Sequence, residues 1–248
     1  MTKARTGLVK TDKGQQTRAA ILKTALEVFR EQGYEGATMR AIAERAGVAL
    51  GNAYYYFHSK EHLIQAFYGE LHEEHLTACA PLLESERDLR PRLLGVMRAM
   101  IKTLEPYHQF ACKLFKIAAD PHSPLNPFSD ESDPARRQSI ELFREVVTDS
   151  SAGIPKDLMS ELPYMLWLYH MGIVLFWIHD SSSSHARTYR LIDRSVEIID
   201  KLIRVASNPL MSRLRKSAIR LMAELREDVS SVEPLTSGVV TEGPSKIR

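Results

Sequence analysis

The sequence predicts an all-α protein made of a short N-terminal three-helix unit and a larger helical domain. Apolar side chains recur at helical spacing throughout the 248 residues, and the alternating pattern of strands is nearly absent. Proline, glycine and serine breaks separate most of the chain into segments of ten or more residues with this spacing. Near residue 50, two shorter segments meet at a glycine-containing turn, a pattern typical of a helix-turn-helix.

The first predicted helix covers about residues 16–32. Gly33 follows it and is expected to end it, because glycine readily takes the left-handed conformation found after helix ends. The residues expected on its buried face are Ile21, Leu22, Ala25, Leu26 and Phe29.

Three more helices are predicted before residue 84. Thr38 is a suitable N-cap for the second, over residues 39–46. After a tight turn, the third is short and covers residues 50–56. The fourth is expected to start near Lys60 and to continue to about Leu83.

Beyond these, six further helical segments are separated by prolines, by a proline-rich loop and by a run of serines. They cover about residues 89–105, 107–119, 134–150, 157–180, 185–206 and 209–227. The chain is therefore expected to contain about ten helices.

Composition narrows the classes of protein to consider. The two cysteines lie far apart in the sequence, which excludes a disulfide framework, and the polar N-terminus does not resemble a secretory signal. The longest apolar run, between Pro163 and His179, contains tyrosine and histidine and lacks flanking basic anchors. We interpret it as a buried helix, so a cytoplasmic protein without a membrane partner is expected.

The net charge of +2 hides an asymmetry along the chain. Residues 1–60 contain ten Lys and Arg against five Asp and Glu, whereas the remaining residues contain 23 against 26. A positive N-terminal unit on a mildly acidic body indicates that this end meets a polyanion.

The stretch GVALGNAYYYFHSKEHL, residues 47–63, contains candidates for reading DNA bases. The second helix of a helix-turn-helix enters the major groove, where Gly51 would permit a close approach of the backbone. There Leu50 would contact a thymine methyl group, and Asn52 has the donor and acceptor that suit adenine.

The same stretch contains candidates for phosphate contacts. Tyr54 and Tyr55 point in different directions, so their hydroxyl groups would reach the DNA backbone on either wall of the groove. Lys60 adds a positive charge at the start of the next helix, where the helix dipole also favours phosphate. Arg40, in the second helix, completes the set of predicted DNA contacts.

The order of these features over about fifty residues resembles the N-terminal domain of the TetR family of transcriptional regulators. The matching features are ALEVFREQGY, Thr38, IAERAGV, YYYF and SKEHL. The resemblance implies that Thr38, Tyr54, Tyr55 and Lys60 bind phosphates and that Leu50, Gly51 and Asn52 face bases. Two alanines depart from the family pattern: Ala49 replaces a capping Ser or Thr, and Ala53 replaces a larger aliphatic residue.

The resemblance further implies a ligand-responsive regulator that binds a palindromic operator in double-stranded DNA as a homodimer. Repression relieved by a small apolar or amphipathic effector is the commoner family behaviour. An activator or co-repressor-dependent regulator, and a membrane- or partner-binding adaptor, remain alternatives. The predicted units are a flexible basic arm (1–14), a DNA-binding domain (15–62), an effector and dimerisation domain (63–228) and a disordered tail (229–248).

Dimer contacts are expected from part of the apolar residues in helices 157–180 and 185–206, with packing inside one subunit as the competing interpretation. The final helix places Met211, Leu214 and Leu221 opposite basic residues. We expect this apolar face to dock on the body or across the dimer, rather than on a membrane.

An effector pocket is expected to be apolar with a few polar groups. The candidate residues are Tyr107, Phe110, Phe115, Tyr164, Trp167, His170, Met171 and Trp177. For any one of them, a place in an aromatic core is the alternative. His170 stands out because a titratable group in an apolar helix requires a partner, from the protein or from a ligand.

No enzymatic site, cofactor or metal is expected. The HEEH sequence at residues 72–75 has i, i+3 spacing, whereas the zinc signature HExxH requires i, i+4. The chain also lacks the glycine-rich phosphate loops and the GxSxG nucleophile motif.

Overall fold

The computed structural model describes residues 5–230, with side chains for residues 13–224. Within these residues the chain forms helices and no strands. The helices are α1 (Arg5–Gly36), α2 (Met39–Arg45), α3 (Leu50–Tyr56), α4 (Lys60–Ser85), α5 (Leu89–Leu104), α6 (His108–Ala118), α7 (Asp133–Thr148), α8 (Lys156–Ile178), α9 (Ala186–Ser207) and α10 (Ser212–Ser230). Single 3₁₀ turns at Glu105–Tyr107, Ser183–His185 and Pro209–Met211 precede α6, α9 and α10.

Helix α1 begins earlier than the sequence pattern predicted. It starts at Arg5, so residues 5–14, which were predicted as a flexible basic arm, are helical. No proline interrupts this stretch, and a glycine inside a helix costs only about 1 kcal/mol, so the helix continues past its packed part. At the other end Gly33 has a φ of 75°, which kinks the helix where the sequence predicted its end.

The predicted disordered tail, residues 229–248, lies outside the described residues except for its first two positions. These belong to the last turn of α10, which extends to Ser230. The bounds of α2 through α9 agree with the predicted segments to within about two residues.

Two hydrophobic cores organise the fold, and α4 contributes to both. The first core joins α1, α2, α3 and the start of α4, where Phe67 and Leu71 are buried. The second lies among α4, α5, α7, α8 and α9 and contains Cys79 and Leu83 from the end of α4. The predicted domain boundary at residues 62 and 63 therefore falls inside a helix that links the two cores.

A buried arginine ties α5 to the ends of two other helices. Arg92 is fully buried, and its guanidinium donates to the carbonyl oxygens of Leu83 at 2.7 Å and Glu86 at 2.7 Å, where α4 ends. It also donates to Glu145 O at 2.9 Å and Val146 O at 3.1 Å near the end of α7. Carbonyl groups near the end of a helix often lack a backbone partner, and this charge donates to four of them. One of the four, Glu145 O, also accepts from Asp149 N at 3.2 Å.

Helix α8 is the one described helix that is long and apolar enough to cross a membrane by length and composition. It packs against α7, α9 and α10, and Leu166, Trp167 and Ile173 are buried in the second core. These contacts support the interpretation of the apolar run as a core helix.

Helix α10 packs on the body through a different face from the one predicted. Arg215 donates to both carboxylate oxygens of Asp157 at 3.1 Å and to Ala206 O at 2.6 Å, and Ile219 packs on the second core. Leu214 and Leu221, expected to dock, are instead exposed. That face therefore does not dock on the body of the same subunit, because the ion pair turns the leucines outward. Docking across the dimer stays a prediction.

Candidate functional site

Helices α2 and α3 form a helix-turn-helix that packs on the first core. The hydroxyl group of Thr38 accepts from Ala41 N at 3.1 Å, which confirms its role as the N-cap of α2. Gly47 has a φ of 66° in the turn, a conformation that favours glycine, and Val48 N donates to Ala43 O at 3.0 Å. The inner side of α3 is anchored by Ala53, which is fully buried.

The outer side of α3 presents the predicted base-reading and phosphate-binding residues together. Gly51 and Asn52 are exposed, and the side chains of Tyr54 and Tyr55 are 46% and 74% exposed. A Cβ atom added at Gly51 would meet no heavy atom of the protein within 4 Å. Packing within the protein thus does not require glycine at this position.

The remaining candidates on the helix-turn-helix differ in how accessible they are. Thr38 and Arg40 are exposed at the start of α2. Leu50 is half-buried and packs against the first core, so only part of its side chain faces outward. Ala49 makes no side-chain capping bond, as its lack of a hydroxyl group predicted.

Lys60 is held by contacts within the protein. Its Nζ donates to Tyr34 O at 2.8 Å and lies 4.4 Å from the centre of the Tyr34 ring. The Tyr34 hydroxyl group is hydrogen-bonded to Glu61, and burial raises the Tyr34 pKa above its ordinary value. An ammonium group has three donors, so Lys60 keeps capacity for a phosphate after its bond to Tyr34.

Sequence reasoning missed the contribution of α1 to this surface. The backbone at Gly14 lies beside the end of α3, where an added Cβ would be 3.6 Å from the Tyr56 hydroxyl oxygen. One turn later, the Arg18 guanidinium lies 4.9 Å from the centre of the Phe57 ring. The basic composition of residues 1–18 was the available signal, but it did not reveal that these residues continue α1.

The described residues line an apolar cavity of about 280 Å³ between α4, α6, α7 and α8. Six of the predicted pocket residues line it, namely Tyr107, Phe110, Phe115, Trp167, Met171 and Trp177. Sequence reasoning missed a second set, which consists of Phe67, Tyr68, Leu71 and His72 of α4 and Arg136 and Ser139 of α7. Their periodicity only marked α4 and α7 as helices with one buried face.

Two predicted pocket residues do not line the cavity. Tyr164 stacks on Trp167, with 5.6 Å between ring centres. His170 lies beside Phe143 in the second core, and its buried Nδ1 has no hydrogen-bond partner among the described residues. Burial, with smaller contributions from His75 and His72, lowers the His170 pKa to about 3.

The HEEH sequence is divided between two environments. His75 is buried and its Nε2 lies 2.9 Å from Val96 O, whereas His72 lines the cavity. Burial lowers the pKa of both histidines. In the described part of the chain no three His, Cys, Asp or Glu side chains are grouped to hold a metal ion.

Comparison with known proteins assigns a family to this arrangement. Residues 21–67 match the bacterial regulatory proteins of the tetR family, and residues 92–221 match the tetracyclin repressor-like C-terminal domain. The chain belongs to the TetR family. It is therefore a transcription regulator with a DNA-binding helix-turn-helix.

Curated TetR-family relatives match mainly at the N-terminus. The probable regulator ArpR of Pseudomonas putida is 40% identical over 90 residues, which are 36% of this chain and 41% of that protein. The repressor KstR of Mycolicibacterium smegmatis is 46% identical over 55 residues, 22% of this chain and 27% of that protein. The chain thus spans about two fifths or less of the length of these relatives.

Solved structures extend the likeness of fold to most of the chain. A putative TetR-family regulator from Syntrophomonas wolfei has a TM-score of 0.61 at 16% identity, covering 75% of this chain and 95% of that one. FadR from Bacillus subtilis, solved in complex with stearoyl-CoA, has a TM-score of 0.57 at 18% identity, covering 73% and 96%. At these identities the comparison shows the fold alone.

Proposed function

We propose that the protein is a cytoplasmic homodimeric repressor that binds a palindromic operator and is released by a small apolar or amphipathic effector. One observation carries the effector part of this proposal. Four aromatic residues that line the cavity belong to the core of the DNA-binding domain or pack against it, namely Phe67, Tyr68, Tyr107 and Phe110.

The contact runs through α6. Phe110 lines the cavity, and its ring lies 5.9 Å from the ring of Phe67 on α4 and 6.1 Å from that of Phe29 on α1. The neighbouring cavity residue Tyr107 lies under the Arg30 guanidinium of α1 at 5.1 Å. An occupant that moves these rings would shift α1 and α4, and with them α3.

A second connection runs through the loop between α6 and α7. Gln65 of α4 donates from Nε2 to Pro124 O at 2.9 Å and to the Ser132 hydroxyl oxygen at 3.0 Å. Leu125 of the same loop is buried in the first core. Leu125 and Ser132 also line the cavity, so a ligand bound there would change the contacts that this loop makes with α4.

The homodimer is supported by an apolar stripe on α9. Ile198, Leu202 and Val205 follow i, i+4, i+7 spacing and are 57%, 61% and 54% exposed. Ile192 and Val196 of the same helix pack inside the subunit, so the outward stripe is the part available to a partner.

DNA binding by the dimer would use the outer side of α3. Asn52 would read a base edge, with Gly51 allowing the helix to approach closely. Tyr54 and Tyr55 would bind phosphates on the walls of the groove. Two such helices related by a two-fold axis would occupy successive major grooves about 34 Å apart.

The test is selection of bound duplexes from a random-sequence pool by the ligand-free protein. Enrichment of an inverted repeat would support the operator, the dimer and the unliganded binding state together. Enrichment only after addition of a cell extract would instead favour the co-repressor-dependent alternative. No enrichment under either condition would contradict the proposed function.

A further inference from the structure

The polar groups of the cavity wall suggest which ligands it accepts. The lining includes the hydroxyl-bearing residues Tyr68, Tyr107, Ser132 and Ser139, one histidine and one arginine, and no carboxylate. Only His72 and Arg136 are therefore available to oppose the charge of an anion.

The charge of Arg136 is already used within the protein. Its Nη2 donates to Asp133 Oδ1 at 2.7 Å, and its Nη1 donates to the carbonyl oxygens of Pro127 at 2.8 Å and Ser129 at 3.1 Å. The Arg136 side chain is only 18% exposed, so solvent screens this ion pair weakly. The other carboxylate oxygen of Asp133 pairs with Arg137, whose side chain is exposed and therefore screened by solvent. Asp133 thus mainly offsets the charge of the less exposed Arg136 guanidinium at the cavity wall.

The other groups are neutral near pH 7. Burial lowers the pKa of His72, which leaves its imidazole uncharged, and burial raises the pKa of the Tyr68 phenol. The hydroxyl group of Ser132 already accepts from Gln65 at 3.0 Å. An anion placed here would lose its hydration without gaining a free positive partner.

We infer that the cavity selects uncharged, largely apolar molecules, and that Asp133 determines this selectivity by neutralising Arg136. The regulatory meaning of this selectivity rests on the proposed function. The selectivity itself does not, because binding of a ligand to the cavity is measurable without DNA. The cavity volume of about 280 Å³ leaves room for a compact ring system.

The direct test compares two probes of the same ring system, 2-naphthalenemethanol and 2-naphthoate, by quenching of tryptophan fluorescence. The chain contains two tryptophans, Trp167 and Trp177, and both line the cavity. We expect saturable quenching by the alcohol and at least about tenfold weaker binding of the carboxylate at pH 7. Equal or tighter binding of the carboxylate, or no saturable binding of the alcohol, would overturn the inference.

The decisive variant is Asp133→Asn, which frees the charges of Arg136 and of the exposed Arg137 with little change in side-chain size. We expect the affinity for 2-naphthoate to rise at least about fivefold and that for the alcohol to stay within about twofold. Glu131→Gln removes the same charge from an exposed side chain nearby and should change neither affinity. The additional substitution Arg136→Met should cancel the gain in Asp133→Asn.

Two controls show where the probes bind and whether the variants fold. Ala111 lines the cavity, so Ala111→Phe should abolish binding of both probes. Binding that survives this change places the probes elsewhere and overturns the inference. Far-ultraviolet circular dichroism and urea unfolding are measured for each variant, and an unchanged preference in a folded Asp133→Asn protein also overturns it. Operator selection remains a separate experiment, so failure of either proposal is recognised independently.

Discussion

The rings of Phe29 and Phe110 stack with 6.1 Å between their centres and 16° between their planes. Phe29 is fully buried in the core of the DNA-binding domain, whereas Phe110 also lines the cavity. One aromatic pair thus joins the two parts of the molecule that a ligand-responsive regulator has to couple.

Substitution of Phe110 should weaken this coupling. Phe110→Leu keeps an apolar side chain but removes the stacked ring, worth about 0.5–1.5 kcal/mol beyond its buried area. Because coupling is reciprocal, the operator duplex should change the affinity for 2-naphthalenemethanol in the native protein and change it less in the variant. Fluorescence titrations with and without the duplex measure both ratios, and equal ratios in the two proteins would exclude a role for this pair.

The outer residues of α3 should separate base reading from phosphate binding. Asn52→Ala should relax the preference at one operator position by about 1–3 kcal/mol, because a base edge loses its matched donor and acceptor. Tyr54→Phe removes only a hydroxyl group and should weaken binding similarly for all sequences. Mobility-shift titrations on the selected operator and on single-position variants distinguish these outcomes.

Lys60→Ala is a less direct test of phosphate binding, because Nζ also holds Tyr34 O at 2.8 Å. We expect it to weaken DNA binding uniformly and to lower the stability of the N-terminal domain as well. Uniform loss of affinity in Asn52→Ala, like that in Tyr54→Phe, would contradict the assignment of Asn52 to a base edge.

The apolar stripe of α9 should be required for dimerisation. Leu202 is 61% exposed in the single subunit, and Leu202→Glu would place an unpaired charge in the proposed interface. We expect a monomer in sedimentation velocity and loss of binding to the inverted repeat. Lys201→Gln makes the same change in net charge at the adjacent position and should remain dimeric. Equal dissociation of both variants would contradict the assignment of the dimer interface to this stripe.

Arg92 should be a major determinant of stability. Arg92→Met leaves four buried or half-buried carbonyl groups without their charged donor, and we expect a loss of about 3 kcal/mol or more in the free energy of unfolding. Arg90→Met, two positions earlier, removes an exposed pair with Glu197 at 3.7 Å and should cost about 1 kcal/mol at most. Urea unfolding measures both, and similar losses would show that the buried bonds contribute little.

His170 should make the protein less stable in acid. Its pKa is about 3 in the folded protein against an ordinary 6.5, so between these values the unfolded chain binds more protons. Stability should therefore fall as pH decreases from about 6.5 towards 3, by up to about 1.4 kcal/mol per pH unit from this residue. In urea unfolding at several pH values, His170→Leu should flatten this dependence. His122 is exposed, so His122→Leu should leave the pH dependence of stability unchanged. An identical pH dependence in the native protein and both variants would contradict the role of His170 in acid sensitivity.

The sequence by itself determined the helices and the helix-turn-helix. Thr38 caps α2, Gly47 turns the chain and Ala53 anchors α3 because caps, turns and helical periodicity depend on residues close together in the chain. The same local signals marked the outer residues of α3, since alternation between buried and exposed sides follows from 3.6 residues per turn.

The tertiary structure decided which side chains meet across helices. Periodicity assigned His170 and Phe67 to apolar faces alike, but the packing of α8 on α7 places His170 in the core and that of α6 on α4 places Phe67 at the cavity. The ion pair between Arg215 and Asp157 likewise chooses which face of α10 docks. These outcomes depend on contacts between residues tens of positions apart, which helical spacing does not encode.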